Sequence, residues 1–122
     1  MSIIYHTIPD LDVEVKEGAQ LARISGQFLT CLYAIWYVCH EQGKSPVLTG
    51  ASRDQVYDHE PLHQMGYAWD WRSEHLSDPA RAAQELQTLL SSIDRRWRCV
   101  YIRTPGNAHY HIEYDVRKPG PN

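Results

Sequence analysis

The chain lacks the features that mark several large classes of protein. No apolar run approaches the roughly 20 residues that a bilayer-spanning helix needs, so a helical membrane protein is excluded by sequence. Positive charge is not in excess. Twelve Lys and Arg stand against fifteen Asp and Glu, for a formal net charge of -3. The cations are scattered, so neither a nucleic-acid backbone nor an anionic lipid surface is expected as a partner. The three cysteines, Cys31, Cys39 and Cys99, cannot all pair, and they show no CxxC spacing. Lying within apolar stretches, they read as buried thiols acting as small hydrophobes. Residues Met1 to Asp10 carry neither a positively charged region nor the apolar core of a secretion signal, so the product is expected to start out in the cytoplasm. No internal repeat or low-complexity segment interrupts the chain, and only a Pro/Gly tail at 117–122 is expected to fray.

What is present suits one compact unit. With 122 residues, 43% of them apolar, the chain can bury one hydrophobic core but not two, so residues 1–122 are read as a single domain. A monomer is the expected state, since the apolar stripes of its helices can be satisfied internally. From Glu17 to about His40, the residues Leu21, Ile24, Phe28, Cys31, Leu32, Ile35 and Cys39 recur with the spacing of one helical face, and Gly43 stops the pattern. A second helix opens at Asp78, a capping residue followed by Pro79. It carries the stripe Ala82, Ala83, Leu86, Leu89, Leu90 and Ile93, and is expected to end near Arg96. Pro46 to Thr49 and Tyr67 to Trp71 read as short strands. Cys99 to Arg103 and His109 to Val116 read as a hairpin about Thr104-Pro-Gly-Asn. The expected fold class is α+β, with a small, mostly antiparallel sheet packed against two main helices.

Seven histidines are many for this length, and two of the places where they occur combine with carboxylates in the manner of metal ligands. In His63-Gln-Met-Gly-Tyr-Ala-Trp-Asp70, a loop histidine precedes a strand aspartate, and Gly66 can permit the bend that brings them together. In His109-Tyr-His111-Ile-Glu113, strand alternation puts both imidazoles and the Glu113 carboxylate on one face, with Tyr110, Ile112 and Tyr114 on the other, core-facing side. By the same alternation, Trp69 and Trp71 face away from Asp70 and are assigned to packing, with an exposed substrate platform as the alternative, and Trp36 and Trp97 are assigned to the core. A His, Asp, His ligand set suits zinc with its fourth position open, the arrangement of a catalytic site. Asp58-His59-Glu60 reads as a solvated loop at the rim, because adjacent side chains do not easily aim at one ion. His6, His40 and His75 are read as structural.

The string His63-x-x-Gly66-x-Ala68-x-Asp70, followed by His109-x-His111, resembles the LAS metallopeptidases, named for lysostaphin, D-Ala-D-Ala carboxypeptidases and sonic hedgehog. The resemblance spans roughly Val47 to Asp115 and is strongest to the D-Ala-D-Ala carboxypeptidase and phage endolysin branch. It implies that His63, Asp70 and His111 are zinc ligands, and that His109 activates water or stabilises the tetrahedral intermediate. It also implies that Arg53, at the end of Leu48-Thr-Gly-Ala-Ser-Arg53, holds a substrate carboxylate or a developing oxyanion. The chain departs from the family at two places. Ala108 stands where several members carry an acidic general base, and Pro61 stands where many carry Ser. Glu113 is open to two roles, as a support for the metal ligands or as a substitute base.

The function that the resemblance implies is zinc-dependent hydrolysis of a peptide bond in bacterial peptidoglycan stem peptides, by a carboxypeptidase or an endolysin-type endopeptidase. The missing N-terminal signal points toward a phage or prophage lysis enzyme. Two other readings stand beside it. One is a non-catalytic, zinc-stabilised binding domain, favoured by Ala108. The other is a zinc peptidase or amidase acting on a small dipeptide.

Overall fold

A computed structural model describes residues 5–8, 12–16, 25–50 and 67–119. Eight elements follow in order: β1 (Tyr5–Ile8), β2 (Val13–Lys16), α1 (Gln27–Glu41), β3 (Val47–Gly50), β4 (Ala68–Arg72), α2 (Pro79–Ile93), β5 (Trp97–Ile102) and β6 (His109–Tyr114). The expected α+β class, with two main helices and a mostly antiparallel sheet, is what is found.

Both helices are delimited by local chemistry. At the C-terminus of α1 the amides of Gly43 and Lys44 donate back to the carbonyls of His40 and Cys39. Gly43 adopts the left-handed φ of 70° that this closing motif requires, and glycine bears it without a steric penalty. α1 begins at Gln27 with Gly26 at its N-cap position and Ser25 outside any helix, so the helix expected to run unbroken from Glu17 is interrupted at 25–26; residues 17–24 lie outside the described residues. In α2, Asp78 caps the N-terminus as expected, its side chain accepting from the Arg81 amide at 3.1 Å, with Pro79 at the first helical position. The helix ends at Ile93 and not near Arg96. Asp94 is extended, and its carboxylate accepts the Arg96 amide at 2.9 Å, an alternative to helical bonding that starts the turn into β5.

The sheet has strand order β1-β2-β3-β4-β6-β5, and every neighbouring pair is antiparallel except β2 with β3. β1 and β2 are strands that the sequence reading did not include. The hairpin β5–β6 was expected, but β6 also pairs along its length with β4 and so becomes an inner strand. Alternation then gives the sheet two unlike faces. Trp69 and Trp71 of β4 and Tyr110 and Ile112 of β6 point to one side and are fully buried. There they join Phe28, Cys31, Leu32 and Ile35 of α1 and Ala82, Leu86 and Leu90 of α2 in one core. Phe28 lies against both indoles, 5.6 Å from the Trp69 ring and 6.4 Å from the Trp71 ring. Trp97 also belongs to the core. Trp36, expected there, is only partly buried at its edge and stacks on His40 at 4.1 Å. Cys31 and Cys39 are buried free thiols and Cys99 is partly buried; burial raises the pKa of each, so none is poised to react. No described helix is long and apolar enough to cross a membrane.

Candidate functional site

The face opposite the helices carries the chemistry. Register sets Asp70 opposite His111, Arg72 opposite His109 and Ala68 opposite Glu113 across β4 and β6. Because each strand alternates, the residues that send Trp69, Trp71, Tyr110 and Ile112 into the core necessarily send Asp70, His109, His111 and Glu113 to the other side. The site is held in place locally as well. The Thr49 hydroxyl of β3 donates to the Asp70 carbonyl at 3.2 Å, and the Tyr110 hydroxyl ties β6 to the first turn of α2 by donating to the Pro79 carbonyl at 2.6 Å.

One oxygen is the focus of the cluster. Asp70 Oδ1 lies 3.1 Å from His111 Nδ1 and 3.9 Å from His109 Nε2. The other ring nitrogen of His111, Nε2, lies 2.8 Å from Glu113 Oε1. Carboxylate oxygens only accept, so both nitrogens of His111 act as donors here, and the ring is an imidazolium held between two carboxylates. Burial opposes that charge, but the bonds to Asp70 and Glu113 outweigh burial and push the His111 pKa up to about 9. The same contact, chiefly the hydrogen bond from His111, lowers the pKa of Glu113. Arg98, opposite Glu113 on β5, acts in the same direction.

His109 is held differently. Its Nδ1 is 2.8 Å from the Asn107 carbonyl, which can only accept, so Nδ1 carries the proton. In the neutral ring Nε2, the nitrogen that faces Asp70, therefore keeps its lone pair. That nitrogen faces the cluster, and the ring is oriented by a backbone carbonyl from the hairpin turn. The alternation of β6 predicted that His109, His111 and Glu113 share a face, and they do.

The donor set can be tested against a metal by distance. Two donors bound about 2.1 Å from one tetrahedral zinc stand about 3.4 Å apart. The 3.1 Å between Asp70 Oδ1 and His111 Nδ1 lies within a few tenths of that spacing. The Glu113 contact has the form by which metal-ligating histidines are commonly held, the distal N–H given to a carboxylate. Asp70 and His111 therefore fit as two ligands of such an ion, with Nδ1 giving up its proton in favour of the metal. Among the described residues no group of three His, Cys, Asp or Glu side chains stands ready to hold a metal. The third expected ligand, His63, and the expected Arg53 both lie outside the described residues, as does the Asp58-His59-Glu60 loop.

Of the histidines read as structural, His40 stacks on Trp36 and His75 bonds the Ser45 carbonyl at 2.8 Å, while the side chain of His6 lies outside the described residues. Two cationic residues not singled out by the sequence reading do border the cluster. Arg72 shares the face of Asp70, two residues along β4, and Lys16 reaches the same cavity as His109. The position of Arg72 follows from strand alternation alone, whereas that of Lys16 depends on the strand order.

Comparison with protein-family profiles, with curated proteins and with solved structures finds no match to this chain.

Proposed function

We propose that this chain is a zinc-dependent peptidase that hydrolyses a peptide bond in bacterial peptidoglycan stem peptides, built on a hedgehog and D-Ala-D-Ala-peptidase type of fold. The observation that carries the reading is the convergence on Asp70 Oδ1 of His111 Nδ1 at 3.1 Å and His109 Nε2 at 3.9 Å, in the motif spacing that resembles the LAS peptidases. His63, Asp70 and His111 would hold the ion. Bound there, zinc supplies Lewis acidity toward a substrate carbonyl and toward water.

The roles of the other residues follow from their contacts. His109 Nε2 accepts the proton released from the attacking water and can return it to the leaving amine, the Asn107 carbonyl keeping its ring in the required tautomer. Glu113, engaged with His111 Nε2, fixes the ring of a ligand. That position favours a supporting role for Glu113 over that of a substitute base, so His109 takes the work that Ala108 cannot do. Arg53 holds a substrate carboxylate or developing oxyanion on this reading. On the endolysin side of the resemblance, the enzyme is phage or prophage encoded and acts on the wall after release.

Ala108 favours one other reading, a domain that keeps zinc for stability and binds without cutting. Elemental analysis of purified protein, followed by muropeptide release from purified sacculi with and without chelator, separates the two. The expected result is about one zinc per chain and chelator-sensitive release that His109→Ala abolishes while zinc is retained. Zinc without cleavage of sacculi or short stem peptides gives the binding-domain reading. Protein that takes up no zinc overturns the ligand assignment.

A further inference from the structure

α1 carries two apolar stripes. Phe28, Cys31, Leu32, Ile35 and Cys39 belong to the core. Leu29, Tyr33 and Tyr37, spaced four residues apart, form a second ridge away from the core, and they are 59%, 57% and 55% exposed. On α2, Ile93 is 54% exposed. Between the two helices runs an open groove of about 570 Å³, with Tyr33 and Tyr37 on the α1 side and Leu89 and Ile93 on the α2 side. It continues past Tyr37 and Leu89 into a second groove of about 420 Å³. Large apolar side chains that are this exposed and this contiguous mark an interaction surface.

Charge and shape select the occupant. No charged residue occurs from Gln27 to Cys39 on α1 or from Leu86 to Ile93 on α2. Glu85, at the far end of the second groove, is paired with Arg81 at 3.0 Å. In a two-fold symmetric pair, residues near the axis meet their own counterparts, so a charge there would face its like, and a face without charge avoids that repulsion. A partner of another kind is under no such constraint and is ordinarily steered by charges of opposite sign, which this stretch does not offer. The shape agrees. One face carries both a ridge, 29–33–37, and a groove beside it, so a second copy turned about a two-fold axis supplies a ridge for each groove. Each helix has 15 residues and is about 22 Å long, and two side by side present a face about 20 Å wide. Covering that face on both copies removes on the order of 1,000 Å² of surface, the lower end of specific interfaces.

We propose that the outer face of α1 and α2 pairs with the same face of a second copy of this chain. The monomer expected from the core-facing stripes leaves the outer ridge uncovered, and the pairing covers it. Asp70, His109 and His111 lie on the sheet face opposite the helices, so both clusters stay open, on opposite outer sides of the dimer. The proposal is independent of what those clusters do.

The test is sedimentation velocity of the full chain between about 1 and 300 µM, the range in which an interface of this modest size associates. The expected result is a mass that reaches twice 14.1 kDa within that range. Tyr37→Lys and Ile93→Lys each set a charge against the partner's uncharged face, and each should weaken association by at least about tenfold while the circular dichroism spectrum stays that of the wild type. The two variants lie on different helices, so a folding defect in one leaves the other informative. A mass of 14.1 kDa at every concentration overturns the proposal, as does a dimer that either folded variant leaves intact. A mass that climbs beyond the dimer indicates an open head-to-tail contact and overturns the two-fold pairing.

Discussion

Replacing Glu113 by Gln isolates the contribution of one carboxylate to the proposed metal centre. The substitution keeps the shape and one acceptor oxygen but removes the charge that faces His111 Nε2 at 2.8 Å. Glu113 is only 6% exposed, so the bond is poorly screened. Hydrogen bonds to charged groups contribute about 1.5–3 kcal/mol, and a neutral acceptor in the same place retains roughly half of that. The expected loss is about 0.8–1.5 kcal/mol, or on the order of 4- to 13-fold in zinc affinity. Glu113→Ala removes the acceptor as well and leaves the ring of a ligand free to turn, so its loss should approach about 100-fold, the upper end for outer partners of metal-bound histidines. Competition with a chromophoric chelator at fixed pH measures both, with His111→Ala as the reference for losing a ligand outright. If both Glu113 variants bind zinc as tightly as the wild type while His111→Ala does not, the contact has no bearing on how the ligand is held. If His111→Ala also keeps wild-type affinity, His111 is not a ligand.

The other predictions concern the scaffold. His75 donates from Nε2 to the Ser45 carbonyl, and burial, the largest influence on it, lowers its pKa below 6.5. The unfolded chain then takes up a proton more readily than the folded one, so this contribution to stability is complete above pH 6.5 and is lost as pH falls toward the folded pKa. Urea titrations of wild type and His75→Gln should show a shallower acid decline in the variant; parallel curves would refute the assignment. Asp78→Ala removes the cap on the Arg81 amide and should cost about 1 kcal/mol, on the order of 4 °C in Tm by calorimetry. Leu86→Ala empties a fully buried position on α2 and should cost about 2–5 kcal/mol in urea, with the denaturant slope unchanged.

The legible parts of the fold were those where local chemistry and periodicity agree. Asp78 and Pro79 announced α2, Gly43 closed α1, and the alternation in 109–114 assigned every side chain of β6 to its face. What local patterns do not carry is strand order. β4 pairs with β6 across 41 residues of sequence, and nothing in either segment names its partner; only the motif spacing implied that Asp70 and His111 meet. β1 and β2 are four residues each, too short for a period-2 signal to stand out, although Val13 and Val15 do alternate with Glu14 and Lys16. For that reason Lys16 was not legible as a neighbour of His109. Glu113 was placed on the correct face from sequence, but its choice of partner required the distance.

The core and the site are a single structural decision. Side chains repeat every two residues along a strand, so the pairing of Asp70 with His111 is also the pairing that buries Trp69, Trp71, Tyr110 and Ile112 beneath α1 and α2. A slip of one residue in β4 would expose both indoles and drive Asp70 and Arg72 against Phe28 and its neighbours. Each charge so buried without a partner costs several kcal/mol, and each large side chain so exposed forfeits about 1.5–3 kcal/mol of burial. Those penalties exceed the 5–15 kcal/mol by which a domain of this size is ordinarily stable once a few side chains are involved. The aromatic residues on the hidden face therefore fix the spacing of the polar residues on the open one. The acid and imidazole groups need not stabilise the fold themselves in order to be held at 3.1 Å, and they remain available for chemistry.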